Sequence, residues 1–266
     1  FRLCIPGVSF SCCGLGSRIT VSSLFCLHLL CLFVFRMNAT HCDVMVGEQI
    51  KRDIVHQHVS SDLLPTETIT NVTIFDYDDT ILPSTWLTQV FSQTDTLSTE
   101  MLYQLKKVDV TASALLREAI KRSTVIIVTN AEEGWVEHSS SIFLPSVFNL
   151  LRFVTICSAR ARYGSVYPQE SNKWKQLTFS EEFDQIRNRR DGVLSLLSIG
   201  DSLHEREAVF SYGEMNSNVI AKSIKMIDIP SPSQLATQQE LIGKALPSMI
   251  ASSEKLDLKL SVQASP

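Results

Sequence analysis

From Asn71 onward the chain alternates short apolar runs with longer stretches in which apolar residues recur every three or four positions. The runs VTIF (72–75), STVIIVT (123–129), FVTI (153–156), VLSLLSIG (193–200) and SIKMIDI (223–229) have the length and β-branched content of buried strands. The stretches between them carry a helical period. Thr111 is placed to cap a helix running to about Lys121, with Leu115, Leu116, Ala119 and Ile120 on its inner face. Another begins after Asn130 with Glu132 and Glu133 in its first turn, where negative charge suits the helix dipole. Further helices are predicted near 145–152, 174–188, 203–211 and 232–250. Strands that are apolar along their whole length need cover on both faces, so this alternation predicts an α/β fold with a doubly wound parallel sheet.

Outside this region the pattern lapses. Residues 37–68 are mostly polar, lack a period and contain Pro65, which reads as a flexible arm; 69–252 form the domain, and 253–266 a C-terminal tail. Residues 1–36 stand apart. Val21 to Phe35 is mostly apolar behind Arg2 and Arg18, too short for a membrane span and suited to the core of a secretory signal. The first methionine is Met37, so the alternative is upstream sequence read in frame, and the cysteine distribution favours it. The expected location is therefore cytoplasmic, with the secretory pathway as the alternative, and membrane contact is expected only if residues 19–35 are retained. Asn38-Ala39-Thr40 and Asn71-Val72-Thr73 match the glycosylation pattern, but the second abuts a predicted core strand.

Composition narrows the partners. With 266 residues, 44% hydrophobic and 20% charged, the chain can bury a full core. A net charge of -4 and a pI near 5.9 give no electrostatic ground for nucleic acid as a partner, although Arg160, Arg162, Lys173 and Lys175 cluster locally. Six of the seven cysteines lie between Cys4 and Cys42; only Cys157 falls in the domain, which argues against a disulfide framework there and for a small buried residue. His41, Cys42, His56 and His58 fall in the arm at spacings that match no standard zinc pattern.

The chemistry collects at strand ends. VTIF runs straight into Asp76-Tyr77-Asp78-Asp79. Asp79 suits a local turn or helix cap, but two carboxylates held as close as Asp76 and Asp78 repel and call for a cation. The end of a parallel strand is also where open α/β sheets bind ligands. Three later segments answer this cluster: Thr129-Asn130 ends the second strand, Lys173 and Lys175 precede or open a helix, and Gly200-Asp201, with Ser202 and Glu205, ends the fourth strand. On a helix Lys173 and Lys175 point about 200° apart, so only one of them faces the site; Trp174, Leu177 and Phe179 favour Lys175.

In this order, over residues 70–230, the chain resembles the haloacid dehalogenase superfamily, whose phosphatases carry DxDx[TV], then Ser or Thr, then Lys, then commonly GDxxxD. The matches are Asp76-Tyr77-Asp78-Asp79-Thr80, Thr129, Lys175 and Gly200-Asp201 with Glu205 in place of the second aspartate. The resemblance implies a Rossmann-like core and a Mg²⁺-dependent phosphatase or phosphotransferase. Asp76 would be the nucleophile that becomes an aspartyl-phosphate, and Asp78 the general acid and base. Thr129 and Asn130 would contact phosphoryl oxygens, and Lys175 would neutralise charge. Asp76, the carbonyl of Asp78, Asp201 and Glu205 would form the metal set.

Only 52 residues separate Asp76 from Thr129 and 45 separate Thr129 from Lys175, which leaves room for at most a small helical insertion around 84–107 and no large cap domain. An open site suits a phosphorylated substrate, small molecule or protein. In EEGWVEHSS, Trp135 is read chiefly as a packing residue, with His138 near the site entrance. Two other readings stay open. A phospho-accepting receiver domain uses similar residues, but in an order that the acidic segment after Lys175 does not match. A non-catalytic binding module is left room by Glu205 and by the basic ARARYG (159–164).

Overall fold

The computed structural model describes residues 68–261. The expected leader, nearly all of the arm with its three histidines and Cys42, and the first glycosylation pattern lie outside these residues. Six strands form one all-parallel sheet: β1 (Ile69–Phe75), β2 (Thr124–Thr129), β3 (Thr155–Ser158), β4 (Val193–Gly200), β5 (Val219–Lys225) and β6 (Leu256–Lys259). Their order is β3-β2-β1-β4-β5-β6. The connections carry α1 (Ser84–Phe91), α2 (Thr99–Ile120), α3 (Trp135–Phe143), α4 (Pro145–Phe148), α5 (Ala159–Tyr163), α6 (Ser171–Arg187), α7 (Leu203–Met215) and α8 (Pro232–Ala251). The predicted α/β class and parallel, doubly covered sheet are present, and no helix among the described residues is long and apolar enough to cross a membrane.

Strand side chains alternate between the faces. Val72, Ile74, Ile126, Val128, Leu194 and Leu196 join Trp174, Phe179 and Phe183 of α6 and Val209, Phe210 and Tyr212 of α7 in one apolar cluster. On the other face, Thr73 bonds Ser123 just beyond α2 (2.7 Å), and α2 packs against α8. Lys222 of β5, fully buried, donates to the carbonyls of Met249 (2.9 Å), Ile250 (3.1 Å) and Ser252 (2.5 Å), carbonyls the end of α8 would otherwise leave unpaired. Helices α2 and α8 therefore cover one face although their connections run in opposite directions along the sheet, so the β1–β2 and β5–β6 crossovers have opposite hands.

Several element positions differ from those predicted, each for a local reason. The helix expected from Thr111 begins at Thr99 with Ser98 as its cap, and Thr111 sits mid-helix, its hydroxyl donating to Gln239 Oε1 (2.7 Å). The expected insertion at 84–107 is α1 plus the first turns of α2. After Asn130 the helix starts only at Trp135, because Gly134 takes a left-handed φ of 83°; Glu132 and Glu133 precede it. The 145–152 helix divides into α4 and a 3-10 turn at Leu151–Phe153, which moves β3 two residues later than expected. β5 starts at Val219 rather than Ser223, with the buried Lys222 inside it. β6 falls in the stretch expected to be a tail and pairs with Lys222–Lys225.

Candidate active site

From β1 the chain moves outward to β2 and β3, then returns to the other side of β1 as β4. Such a reversal leaves a crevice at the carboxyl ends of the two central strands. Asp76 follows β1 there, its N–H donating to Ile199 O of β4 (2.9 Å), so it lies beside Gly200-Asp201. The loop then tightens: the N–H groups of Ile81 and Leu82 donate to Tyr77 O (2.8 and 3.1 Å) and Asp79 N–H to Leu82 O (2.7 Å). Asp79 holds a φ of 54°, and its Oδ1 accepts the Thr85 N–H in the first turn of α1 (3.0 Å), which is the turn-and-cap role its residue type suggested. From α8, Gln239 Nε2 donates to Thr80 O (3.0 Å) and Ile81 O (3.2 Å) and fixes the far side of the loop.

The buried centre is an ion cluster. Lys175 Nζ lies 2.7 Å from Asp76 Oδ1 and also pairs with Glu205 Oε1. Asp76, Lys175 and Glu205 are 5%, 4% and 2% exposed, so these charges are nearly out of water. Glu205 Oε2 accepts the Ser202 N–H (3.2 Å) and hydroxyl, a capping box at the start of α7. Gly200 makes room for it, since a Cβ there would sit 2.8 Å from Glu205 Cγ. Asp201 lies beside Asp76, close enough for their carboxyls to influence each other, and its carbonyl accepts from Lys225 Nζ.

Burial raises the Asp76 carboxyl well above its usual range; Lys175 opposes this, while Glu205, Asp201 and Asp78 add to it. Burial, then the charges of Glu205 and Asp79, push Asp201 up to about 6. Burial also opposes ionisation of Glu205, but the Lys175 ammonium and the Ser202 hydroxyl outweigh it and hold Glu205 below its ordinary value. Lys175, despite its own burial, is held protonated by Asp76 and Glu205.

Asp78 stands at the rim, half-buried. Thr129 Oγ1 donates to its Oδ2 and Trp135 Nε1 to its Oδ1, both at 3.0 Å. Thr129 Oγ1 in turn accepts the Ala131 N–H (2.9 Å). Beyond Thr129 opens a cleft of about 290 Å³ whose lining includes Glu132, Glu133, Glu137 and Arg162.

The structure thus brings Asp76, Asp78, Thr129, Lys175, Asp201 and Glu205 together. Lys173 turns away, pairing with Glu170 (2.5 Å) and lying over the Tyr167 ring. The Asn130 amide donates one of its two N–H groups to Ser171 O (3.3 Å). Glu205 was expected beside a metal; here both its oxygens are taken by Lys175 and Ser202. Sequence reasoning weighed Trp135 chiefly as packing and missed Gln239 altogether. The signal for Trp135 was its position five residues beyond the Thr129-Asn130 strand end; Gln239, in an amphipathic helix 159 residues from Thr80, gave none.

Among the described residues no three His, Cys, Asp or Glu side chains are arranged as a metal cage. Asp76 and Asp201 remain as adjacent hard-oxygen donors, both carboxyls raised first by burial and then by neighbouring carboxylates despite the Lys175 charge. Two carboxylates with the remaining positions left to water and phosphate suit Mg²⁺, which is seldom held by an all-protein cage. The donor set therefore fits that ion.

Fold and site together define an α/β protein with an acidic, lysine-bridged site at the topological switch of a parallel sheet. Compared with family models, curated proteins and solved structures, the chain gives no match.

Proposed function

We propose that the protein is a Mg²⁺-dependent phosphoric-ester hydrolase or phosphotransferase of the haloacid dehalogenase type that works through an aspartyl-phosphate on Asp76. The observation that carries this reading is the contact of Asp76 with Lys175 (2.7 Å), with Asp201 beside it and Asp78 at the rim. Lys175 opposes the rise that burial imposes on the Asp76 carboxyl and so favours its ionised, nucleophilic form. Asp76 Oδ bonds to phosphorus as the ester P–O bond breaks, and Asp78 protonates the leaving oxygen. In the second half Asp78 takes a proton from the water that attacks the aspartyl-phosphate, and Asp76 is freed. The Thr129 hydroxyl turns from Asp78 to a phosphoryl oxygen. Glu205 keeps Lys175 aimed at Asp76. Asp76, the carbonyl of Asp78 and Asp201 would hold Mg²⁺, which would supply the positive charge that a dianionic ester needs to approach these carboxylates. The substrate is a phosphorylated small molecule or protein.

The test is Mg²⁺-dependent phosphate release from a broad ester panel that includes p-nitrophenyl phosphate, on wild type, Asp76→Asn and Asp78→Asn of matched thermal stability. Release by wild type and its loss in Asp76→Asn are expected. A folded wild type that hydrolyses none of the panel, or an Asp76→Asn protein as active as wild type, rejects the reading.

A further inference from the structure

Building on the phosphoryl-transfer reading above, we infer that Trp135 is a positioning residue that holds the Asp78 carboxyl in line with the leaving oxygen. Asp78 is the half-buried residue of an otherwise buried loop, and its carboxyl is free to change rotamer unless its oxygens are held. Without substrate two elements hold it: Thr129 at the end of β2 engages Oδ2 and Trp135 at the start of α3 engages Oδ1, each at 3.0 Å. Once the Thr129 hydroxyl turns to a phosphoryl oxygen, the hold on Oδ1 is the one that remains.

Trp135 is itself anchored. The left-handed Gly134 (φ 83°) turns the chain into α3, with open space where its Cβ would be, so the glycine serves the backbone conformation and fills no crowded spot. The Trp135 N–H donates to Glu132 O (3.2 Å), and the Trp135 carbonyl accepts the Ser139 hydroxyl (2.6 Å). Ser139 and Ser140 then meet the Tyr77 hydroxyl, each at 2.8 Å, and Tyr77 lies between the two aspartates. Asp78, Trp135, Ser139 and Tyr77 thereby close a ring of contacts that binds α3 to the acidic loop.

The side-chain type matters. An indole has one N–H donor and no acceptor, so it engages Asp78 in either protonation state and never competes for its proton. Oδ1 stays an acceptor and Oδ2, next to Thr129, becomes the acid oxygen. As Asp76 Oδ bonds to phosphorus and the ester P–O bond breaks, the proton on Asp78 Oδ2 passes to the leaving oxygen. Asp78 is left as a carboxylate with the indole still on Oδ1.

The experiment compares kcat/KM with Mg²⁺ for dinitrophenyl phosphate, whose leaving group needs no proton, and phenyl phosphate, whose leaving group does. Trp135→Phe keeps the ring and removes the donor. It is expected to lose roughly 10- to 100-fold on phenyl phosphate, part of what a general acid contributes, and under about 3-fold on the dinitrophenyl ester. Trp135→His, which retains a ring N–H, recovers part of the loss. Equal losses on both esters, or none on either, overturn the inference. If folded Asp78→Asn also fails to discriminate between the esters, the acid role of Asp78 fails first and the fault lies in the parent reading. Where Trp135→Phe does not fold, the wild-type Trp135 indole N–H resonance decides: it is expected to shift in Asp78→Ala, and an unmoved signal overturns the inference.

Discussion

Gly200 and Glu205 meet across the turn from β4 into α7, so closely that a Cβ on residue 200 would lie 2.8 Å from Glu205 Cγ and 3.0 Å from its Cδ. Glu205 has little freedom to retreat, because Lys175 and Ser202 hold its two oxygens and it is 2% exposed. Gly200→Ala therefore moves Glu205, and with it Lys175 and the partner of the nucleophile. The expected outcome is a stability loss of about 1–3 kcal/mol by urea unfolding, as for other overpacked sites. Phosphate release is expected to fall by roughly 10- to 100-fold, the loss typical of a small displacement at a reacting centre. Unchanged stability and activity would mean that the site absorbs a methyl group without loss.

Lys175 bridges two buried carboxylates, so removing it leaves more than a missing contact. Lys175→Met strands Asp76 and Glu205 without a counter-charge and is expected to cost about 3–5 kcal/mol. Adding Glu205→Gln removes one of the stranded charges, so the double variant is expected to be more stable than Lys175→Met alone, by at least about 1 kcal/mol. Urea unfolding of the four proteins of this cycle measures the coupling. Simple additivity of the two losses would show that the ion pair contributes no net coupling.

The strand ends were the legible part of this molecule. Apolar runs stopping at Asp76, Thr129 and Gly200 gave both the sheet and the side of it on which the site lies, because a parallel strand buried on two faces leaves little ambiguity about where it stops. β5 was misplaced because Lys222, a charge in the middle of a strand, reads as a boundary; its role in closing α8 depends on a helix end 27 residues away. β6 gave no apolar run, since it alternates half-buried and exposed residues at the sheet edge. Gln239 and Trp135 act through hydrogen bonds to residues distant in the chain, which leave no periodic trace. The choice of Lys175 over Lys173 followed from helical geometry, whereas the embrace of Glu205 by Ser202 required knowing the turn after β4.

Tyr212 gives a pH test away from the site. It is 2% exposed, its hydroxyl donates to Asp184 Oδ1 (2.7 Å), and burial followed by that carboxylate pushes its phenol up to about 12. An unfolded tyrosine loses its proton near 10, so between these values the folded chain holds a proton that the unfolded chain has released. The stability this confers is fully present below pH 10 and is lost as pH rises toward 12. Between pH 9 and 11 the gap in unfolding free energy between wild type and Tyr212→Phe is expected to narrow by about 1 kcal/mol. A gap that stays constant or widens contradicts the assignment.

Metal binding can be read without any substrate. With no cation present, Asp201 is raised to about 6 by burial and by the charges of Glu205 and Asp79. A carboxyl raised in the folded state confers stability that is present below its unfolded value near 4 and is lost as pH rises through about 6. At pH 7 metal-free wild type therefore carries an ionised, poorly compensated carboxylate. Asp201→Asn removes that charge and is expected to be more stable than metal-free wild type by about 1–2 kcal/mol, less than the full electrostatic penalty because Asp201 is only half-buried and partly screened by solvent. Mg²⁺ reverses the order. At a concentration a hundred times its dissociation constant it adds about 2.7 kcal/mol to wild type, and it adds little to a variant that has lost one of its two carboxylate ligands. Thermal and urea unfolding of both proteins, in EDTA and in about 10 mM Mg²⁺, give four stabilities whose crossing is the expected sign of a functional site that sacrifices apo stability for a cation. Parallel curves, with Mg²⁺ shifting both proteins equally or neither, would separate Asp201 from the metal and leave the acidic cluster without a cation to explain it.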